Sequence, residues 1–409
     1  MPETRSTHVI VGAGLAGAKA AETLRAEGFD GRIVLIGREN ERPYERPPLS
    51  KEVLLGKKDD DSVYVHEAGW YAEHDVELRE GVEAQALDLA ERRVGLSDGS
   101  SVEYTRLLLA MGATPRRLRV PGANLEGVST LRTRADSLAL RARISGGGLR
   151  VAIVGGGWIG LEVAAAARTY GNEVTVLEAE ATPLHVPLGP EVGALFADLH
   201  RAHGVEIRCG EGLFALRGEG SVDHVTTSLG HEIPADLVLM GVGAVPEDSL
   251  ARAAGLKCEN GVLVDSSLRT DDPDVYAAGD VASAYHPLYR RHLRVEHWAN
   301  ALNAGPAAAR SMLGQDVTYD RVPYFFSDQY DLGMEFSGYA TPGAYDKVVF
   351  RGDPASGEYI AFWLSQGAVV AAMNANIWDV TDPLQSLIRS GKKVEESRLT
   401  DPAVPLADL

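Results

Sequence analysis

Cysteine is scarce in this chain of 409 residues, which contains only Cys209 and Cys258. They are far apart and belong to no Cys-x-x-Cys pair or Cys/His cluster, so we expect no zinc, iron–sulfur or other metal site. Two isolated cysteines are typical of free thiols in a reducing compartment. The sequence also has no run of 18 or more apolar residues and no signal-peptide pattern at its N-terminus. We therefore expect a cytoplasmic protein.

Basic residues are also few, with 40 Lys and Arg against 58 Asp and Glu and a net charge of −18. A chain this acidic is a poor candidate for general binding to nucleic acid or to an anionic membrane. The hydrophobic content of 45% and the charged content of 24% are ordinary for a globular protein. The length exceeds what one hydrophobic core usually holds, so two or three domains are expected.

Two stretches share the order strand, glycine-rich turn, helix and strand. Their turns read Gly12-Ala-Gly-Leu-Ala-Gly17 and Gly155-Gly-Gly-Trp-Ile-Gly160. In such a turn one glycine makes the bend, one lets a pyrophosphate approach the backbone, and one lets helix and strand pack closely. The phosphate then binds the free N–H groups at the helix N-terminus. The sequence therefore predicts two α/β dinucleotide-binding units, with fingerprint glycines Gly12, Gly14, Gly17, Gly155, Gly157 and Gly160.

A carboxylate that binds the ribose hydroxyls is expected about 20 residues after each turn. In the first unit Arg38 and Glu39 both lie near the end of the next strand, and the sequence does not decide between them. In the second unit Glu178 ends the next strand, 18 residues beyond Gly160. It can accept hydrogen bonds from both ribose hydroxyls and repel a 2′-phosphate, and no arginine follows in the next three positions. The second unit is therefore predicted to prefer NAD(H) to NADP(H).

Glu162 lies two residues into the helix that follows the second glycine turn. The helix dipole favours a carboxylate at this position, which would give Glu162 a structural role. A nicotinamide ribose or amide could also approach it there. The residues alone leave both interpretations open.

Two apolar strands run into loops that look like crossings between domains. Arg106–Ala110 is followed by Met-Gly-Ala-Thr-Pro, and Leu237–Met240 by Gly-Val-Gly-Ala-Val-Pro. After Ala301, aromatic and turn-rich sequence predicts the strands of a separate C-terminal domain. We therefore predict a first dinucleotide-binding domain from residues 1–112 and 245–318, a second from residues 113–244, and a C-terminal domain from residues 319–409.

Further motifs carry a resemblance to a known family. They are Arg46-Pro-Pro-Leu-Ser-Lys51, Leu107–Arg116, Thr270–Asp280 and Phe326-Ser-Asp-Gln-Tyr330. With the two glycine turns, they resemble the FAD-dependent pyridine-nucleotide oxidoreductases, and within them the NADH:ferredoxin reductases of oxygenase systems. This resemblance implies a glutathione-reductase-like fold with two Rossmann-like domains and a C-terminal α+β domain. It also implies FAD in the first domain and NAD(H) in the second.

The resemblance also implies roles for individual residues. Lys51 resembles a lysine near the flavin nitrogen that receives the hydride, and Glu162 an acid beside the nicotinamide that can pair with it. Asp280 resembles the carboxylate that binds the ribityl chain, although it could also cap the next helix. Trp298 falls where the family places a residue over the flavin ring, although a core tryptophan would fit as well.

The predicted catalytic residues are Lys51, Glu162 and Trp298. The predicted FAD site comprises Gly12, Gly14, Ala16, Gly17, Arg38, Glu39, Arg46, Lys51, Ala84, Arg132, Gly279, Asp280 and Trp298. The predicted NAD site comprises Gly155, Gly157, Ile159, Gly160, Glu162, Glu178 and Gly243.

The chemistry that the resemblance implies is hydride transfer from NADH to the flavin, followed by one-electron steps to an external carrier. Disulfide reductases need a redox cysteine pair after the first unit, and NADH peroxidases need one cysteine there, but residues 41–56 contain none. The implied partner is a small acidic ferredoxin with a [2Fe–2S] or related cluster, serving a cytochrome P450 or a ring-hydroxylating dioxygenase. Met111 and Phe326 replace a threonine and a tryptophan of the family motifs, and these departures concern the electron partner rather than the cofactors.

Two other functions remain open on this scaffold. One is a monodehydroascorbate- or quinone-type NADH reductase, and the other is a flavoprotein similar to apoptosis-inducing factor with an interaction role. A docking patch for an acidic ferredoxin is predicted at the arginines before and after Trp298, and an ordinary solvated charge cluster is its alternative. The sequence leaves monomer and homodimer open. The arginines of the predicted patch are Arg290, Arg291, Arg294 and Arg310.

Overall fold

The computed structural model describes residues 6–409. The strands, in chain order, are β1 Thr7–Val11, β2 Arg32–Ile36, β3 Val76–Arg79, β4 Ala84–Asp88, β5 Arg93–Leu96, β6 Ser101–Glu103, β7 Arg106–Leu109, β8 Ala113–Pro115, β9 Val128–Ser129, β10 Arg150–Val154, β11 Glu173–Glu178, β12 Val205–Cys209, β13 Leu213–Arg217, β14 His224–Thr227, β15 Glu232–Pro234, β16 Leu237–Met240, β17 Ala244–Pro246, β18 Val262–Val264, β19 Val275–Ala277, β20 Ala282–His286, β21 Arg291–Leu293, β22 Tyr324–Gln329, β23 Leu332–Gly338, β24 Lys347–Asp353, β25 Glu358–Ser365 and β26 Ala368–Ala375.

The helices, in chain order, are α1 Leu15–Ala26, α2 Trp70–Glu73, α3 Arg134–Ile144, α4 Trp158–Thr169, α5 His185–Ala202, α6 Ser249–Ala253, α7 Trp298–Met312, α8 Thr381–Ser390 and α9 Glu396–Thr400. Short 3₁₀ turns include Pro47–Ser50 and Gly279–Val281. Among residues 6–409, no helix combines the length and the apolar character that crossing a bilayer requires.

The chain divides into two compact units. Unit 1 combines the described residues up to Glu45 with Asp61–Thr114 and Val245–Arg321. Unit 2 combines Arg46–Asp60, Pro115–Ala244 and Val322–Leu409.

Unit 1 is built around a parallel sheet with the strand order β19-β7-β1-β2-β3. The central strand β1 pairs Val9 with Val34 on one side and with Leu107 on the other. The central strands of this sheet are almost continuously apolar, because both faces of a parallel sheet are covered. Helix α1 follows β1 through the first glycine turn and packs against α7. Two small sheets, β4-β5-β6 and β18-β20-β21, complete the unit.

Unit 2 contains a second parallel sheet, with the order β12-β11-β10-β16-β9. Here Ile153 of β10 pairs with Val176 and Leu239, and α4 follows β10 through the second glycine turn. The unit also holds the antiparallel sheets β13-β14-β15 and β22-β23-β26-β25-β24. Trp363, fully buried on the larger of these, donates its indole N–H to Leu188 O at 3.0 Å. The prediction of two Rossmann-like α/β units and a C-terminal α+β part is therefore confirmed.

Residues 46–60 pack within unit 2, although they follow the first βαβ element in the sequence. Arg141 of α3 binds both carboxylate oxygens of Asp60 at 2.7 Å and Val53 O at 2.9 Å. Ser137 donates to Leu49 O at 2.6 Å. The predicted division into four segments assigned this stretch to the FAD-binding domain, and the segment boundaries stay a prediction.

Candidate functional site

The first glycine turn has the geometry that a bound pyrophosphate requires. Gly12 has a φ of +116°, and a side chain there would overlap with Ala110 O. A side chain at Gly17 would overlap with Gly12 O, whereas nothing lies within 4 Å of the position of a Cβ at Gly14. Gly14 is the N-cap of α1 and provides no side-chain cap for the helix N–H groups. A phosphate can therefore approach the helix N-terminus at Gly14.

The second glycine turn repeats this arrangement. A side chain at Gly155 would overlap with Gly241 O, and one at Gly160 would overlap with Gly155 O. Gly157, the N-cap of α4, is open apart from a single contact at 3.9 Å. Ile159, in the first turn of α4, is 42% exposed. Both turns therefore fit a dinucleotide, which the sequence predicted from the spacing of the glycines and their position between a strand and a helix.

Ala16, in the first turn of α1, is where three segments of unit 1 come together. A Cβ at Gly279 would lie 3.2 Å from Ala16 Cβ, and a side chain at Gly305 of α7 would overlap with Ala16 O. Gly279 begins the 3₁₀ turn that contains Asp280. These contacts bring the predicted FAD residues of the Ala-Ala-Gly-Asp motif next to the first glycine turn.

Trp298 is the first residue of α7, and His297 is its N-cap. Burial lowers the pKa of His297 to about 4, and the nearby Asp280 carboxylate acts in the opposite direction. The beginning of α7 therefore lies near Asp280 within unit 1, as the predicted FAD site requires. The roles of Trp298 and Asp280 stay predictions.

The two candidates for the FAD ribose both engage other side chains of unit 1. Arg38 forms an ion pair with Glu247 at 3.5 Å and donates to Thr114 Oγ1 at 3.3 Å. Glu39 accepts a hydrogen bond from the Tyr44 hydroxyl at 2.5 Å. These contacts do not distinguish between the two, and the choice stays open.

Ala84 begins β4 of unit 1, close to the end of β2. The preceding Val82 donates its N–H to Gly37 O at 2.9 Å, and the N–H of Gly81 bonds to Glu39 O at the same distance. Ala84 therefore lies near the predicted ribose end of the FAD site.

Glu178 lies directly beside the second glycine turn. Its Oε2 accepts the N–H of Gly156 at 2.7 Å, and its Oε1 accepts the N–H of Glu180 at 2.9 Å. Each carboxylate oxygen can still accept a further hydrogen bond, as binding of two ribose hydroxyls requires. Gly243, with a φ of +88°, follows β16 in the same unit.

Lys51 and Glu162 form a buried ion pair in unit 2. The ammonium of Lys51 lies 2.8 Å from Glu162 Oε1, and the two side chains are 10% and 3% exposed. Ser50 donates to Glu162 Oε2 at 2.5 Å, and Ser327 donates to Oε1 at 2.6 Å. The predicted pairing of Lys51 with Glu162 is present, so the carboxylate does more than complement a helix dipole.

The aromatic and acidic neighbours of Lys51 come from the Phe-Ser-Asp-Gln-Tyr motif. Lys51 Nζ lies 5.5 Å from the centroid of the Phe326 ring. Burial raises the pKa of Asp328, although Lys51 opposes the shift. The sequence analysis did not select Ser50 or Ser327, although both lie inside motifs that it quoted. The only sequence feature that could have indicated them is that Ser50 directly precedes Lys51 and Ser327 directly follows Phe326.

Arg46 and Arg132 come together in unit 2. The guanidinium of Arg46 donates to the backbone oxygen of Arg132 at 2.6 Å. Arg46 directly precedes the 3₁₀ turn that leads to Lys51. The predicted FAD arginines are therefore neighbours, and their contact with the cofactor stays a prediction.

The four arginines of the predicted docking patch differ in exposure. Arg290 and Arg291 are exposed at the β20–β21 turn. Arg294 is only 11% exposed, because its guanidinium pairs with Glu296 and donates to Asp280 O. Arg310 pairs with Glu27 at 2.8 Å. Arg290 and Arg291 are therefore exposed members of the predicted patch, and the docking role of all four arginines stays a prediction.

Cys209 and Cys258 both lie more than 150 positions beyond residues 41–56, the segment that contains Lys51. Both are free thiols. Burial raises the pKa of each thiol, which disfavours the reactive thiolate. Within residues 6–409, no group of three His, Cys, Asp or Glu side chains is arranged to hold a metal ion.

The chain belongs to the pyridine nucleotide-disulphide oxidoreductase family, which it matches over residues 6–305. Residues 324–409 match the reductase C-terminal domain. The predicted family and fold are thereby confirmed, as is the prediction that the protein is an oxidoreductase. The family implies a flavin and a pyridine nucleotide as cofactors.

Similar proteins include the ferredoxin–NAD(+) reductase component of the anthranilate 1,2-dioxygenase system of Burkholderia cepacia. It is 41% identical over 97% of this chain and 98% of its own length. The corresponding component of the biphenyl dioxygenase system of Paraburkholderia xenovorans is 40% identical, over 98% of each chain.

Solved structures show the same relationship. Putidaredoxin reductase in its covalent complex with putidaredoxin has a TM-score of 0.94 and 35% identity, covering 98% of this chain and 97% of that one. The ferredoxin reductase for the CYP199A2 system of Rhodopseudomonas palustris has a TM-score of 0.94 and 34% identity, covering 98% of both chains.

Proposed function

We propose that this protein is an FAD-containing ferredoxin reductase that passes electrons from NADH to a small [2Fe–2S] or related ferredoxin. The ferredoxin would serve a cytochrome P450 or a ring-hydroxylating dioxygenase. The observation that carries the proposal is the buried ion pair of Lys51 with Glu162, in which Lys51 belongs to a segment, residues 41–56, that contains no cysteine. Without a thiol to accept them, electrons have to leave for an external carrier. The ferredoxin reductases among the relatives support this direction.

In the proposed reaction the protein binds and orients its cofactors, while a bound flavin supplies hydride acceptance and the release of single electrons. Lys51 would hold positive charge beside the flavin, where it stabilises negative charge that develops during transfer. Glu162 and its two serine partners keep the ammonium in place. Correct positioning of the nicotinamide, through the second glycine turn and Glu178, would contribute much of the rate.

We further propose that NADH is the preferred donor. The Glu178 carboxylate, held by two backbone N–H groups, would accept the ribose hydroxyls and repel a 2′-phosphate. Glu180 adds a second negative charge to the same loop.

The proposed docking patch consists of Arg290 and Arg291. These exposed side chains provide local positive charge on a chain with a net charge of −18, so an acidic ferredoxin would be steered toward them. Replacing both with glutamate should slow ferredoxin-dependent cytochrome c reduction and weaken its dependence on salt. The control replaces Arg201 and Arg217, which are exposed in unit 2, with glutamate. An equal effect of the two double variants would show that only total charge matters.

The proposal as a whole is tested by anaerobic stopped-flow reduction with NADH and with NADPH, followed by titration with [2Fe–2S] ferredoxins. We expect a yellow protein that retains FAD, faster reduction by NADH, and cytochrome c reduction that requires a ferredoxin. Equal turnover with a quinone or monodehydroascorbate would favour the second function. Slow reduction with a long-lived charge-transfer complex would favour a flavoprotein with an interaction role. A purified protein without FAD would overturn the proposal.

A further inference from the structure

A chain of hydrogen bonds leads from Glu162 to His200, a fully buried histidine of α5. Ser327 bonds to Glu162, and Gln329 Nε2 lies 3.1 Å from Ser327 Oγ. Gln329 Oε1 lies 2.8 Å from His200 Nε2, and the Tyr330 hydroxyl lies 3.3 Å from His200 Nδ1. All of these residues belong to unit 2. The chain therefore joins the Lys51–Glu162 pair to His200 and Tyr330 within the same unit.

The charge of Glu162 fixes the direction of every bond in this chain. An ionised carboxylate only accepts, so Ser327 donates its hydroxyl proton to Glu162. Ser327 Oγ then accepts from the Gln329 amide, which turns Gln329 Oε1 toward His200. His200 consequently carries its proton on Nε2 and accepts the Tyr330 hydroxyl at Nδ1.

This arrangement suits a fixed support for a negative charge and does not suit a proton wire. All donors point toward Glu162, and the Gln329 amide would have to give up its own proton to pass one on. Burial lowers the pKa of His200 to about 4, with a smaller opposing effect of Gln329, so the ring is neutral near pH 7. Tyr330 is the last residue of the hydrogen-bond chain, and the exposed ring of His203 stacks on it with 3.7 Å between the ring centroids.

We propose that His200 is a positioning residue for Lys51, acting through Gln329, Ser327 and Glu162. It fixes the orientation of Gln329, which keeps the Ser327 hydroxyl on Glu162 and thereby keeps the carboxylate on the ammonium of Lys51. Its effect on the redox centre rests on the proposed function, in which Lys51 lies beside the flavin.

The first test measures the orientation of Lys51 without using catalysis. Lys51 of the holoenzyme is acetylated with limiting acetic anhydride, and its labelling rate is measured by mass spectrometry relative to Lys257 and Lys347. His200→Phe and Ser327→Ala should each raise the rate about fivefold, the equivalent of one hydrogen bond of ordinary net strength. The double variant should raise it no further, because both changes break one chain.

Rescue separates positioning from packing. His200→Gln keeps a donor near the place of Nε2 and should return the labelling rate close to wild type, and His203→Phe should leave it unchanged. Should His200→Phe not fold, Gln329→Met interrupts the chain at similar length and should raise the rate equally. Wild-type labelling in His200→Phe or in Gln329→Met, or equal labelling in the Phe and Gln variants of His200, would overturn the proposal.

The second test is the midpoint potential of the bound flavin. His200→Phe and Ser327→Ala should shift the potential in the same direction, and His200→Gln should restore it. If labelling changes as expected while the potential stays constant, His200 positions Lys51 but Lys51 does not act on the flavin. That result would contradict the proposed role of Lys51 beside the flavin and leave the positioning role of His200 intact.

Discussion

Gly305 of α7 lies against the backbone of Ala16 in α1 so closely that any side chain at position 305 would overlap with Ala16 O. Ala16 belongs to the first turn of α1, where the proposed FAD pyrophosphate would bind. Gly305→Ala should therefore push the two helices apart, lowering the free energy of unfolding by about 1–3 kcal/mol, as overpacking commonly does. It should also weaken FAD retention, measured as the flavin-to-protein ratio after dialysis.

The matched control is Gly146→Ala. Gly146 has no atom within 4 Å of the position of a Cβ and no positive φ, so the same substitution should be tolerated there. If Gly305→Ala retained FAD and wild-type stability, the close approach of α1 and α7 would not matter for the site.

Arg141 binds Asp60 through both guanidinium nitrogens, and hydrogen bonding to Arg141 is the largest cause of the lowered pKa of Asp60. These two hydrogen bonds attach the segment of residues 46–60, which contains Lys51, to α3. Arg141→Lys keeps the charge but loses the planar fork, so it is not a conservative change. We expect faster amide exchange within residues 46–60 in hydrogen–deuterium exchange mass spectrometry. The global stability loss should be about 1 kcal/mol or less, because the pair is partly exposed.

Arg150→Lys provides the comparison, since Arg150 forms a similar fork with Asp236 elsewhere in unit 2. It should leave exchange within residues 46–60 unchanged. Equal acceleration by the two variants would indicate general loosening rather than loss of the Asp60 anchor.

The sequence predicted those parts of the site that depend on short-range geometry. Each glycine turn spans six residues between a strand and a helix, so the spacing and setting of Gly155 and Gly160 predict a dinucleotide-binding turn. Glu178 was predicted because it ends the strand that follows the second glycine turn, 18 residues beyond Gly160. The pairing of Lys51 with Glu162 came from the resemblance to a family and not from the residues themselves.

The long-range parts could not be predicted in this way. Ser327 and Glu162 are 165 positions apart and meet only because unit 2 brings β22 and α4 together. His200 lies on the buried face of α5, where an apolar residue would satisfy the helical pattern equally well. Adjacency in sequence also grouped Arg294 with two exposed arginines, and it does not reveal that the Arg294 guanidinium donates to Asp280 O.

Glu178 should determine the preference between NADH and NADPH. Glu178→Gln removes the negative charge but leaves oxygen and nitrogen atoms that can bond to the ribose hydroxyls. The ratio of kcat/KM for NADH to that for NADPH should fall by about tenfold, the equivalent of ~1.4 kcal/mol. Steady-state kinetics with a fixed electron acceptor measure this ratio.

Glu180→Gln is a charge-matched control in the same loop. Its backbone N–H still donates to Glu178, so the ratio should change by much less. An equal drop for both variants would assign the preference to the charge of the loop rather than to contacts of the Glu178 carboxylate.

The neutrality of His200 makes a contribution to stability that depends on pH. Burial lowers its pKa to about 4 from the ordinary value of 6.5, so between these values the unfolded chain binds a proton that the folded chain does not. The stabilisation is therefore fully present above pH 6.5 and declines as the pH falls toward 4. The slope is at most about 1.4 kcal/mol per pH unit for one histidine.

Urea unfolding at pH 7.5, 6.0 and 5.0 measures this slope. His200→Gln should flatten it, because glutamine does not titrate, whereas Tyr330→Phe keeps the buried histidine and should preserve it. His8 and His297, whose pKa values burial also lowers to about 4, contribute in the same direction and remain in both variants. The two variants should therefore differ most at pH 5.0. Parallel stability profiles for wild type and His200→Gln would mean that His200 has the same pKa in the folded and the unfolded chain. Burial would then not keep the ring neutral at pH 5.0, as the direction of the hydrogen-bond chain to Glu162 requires.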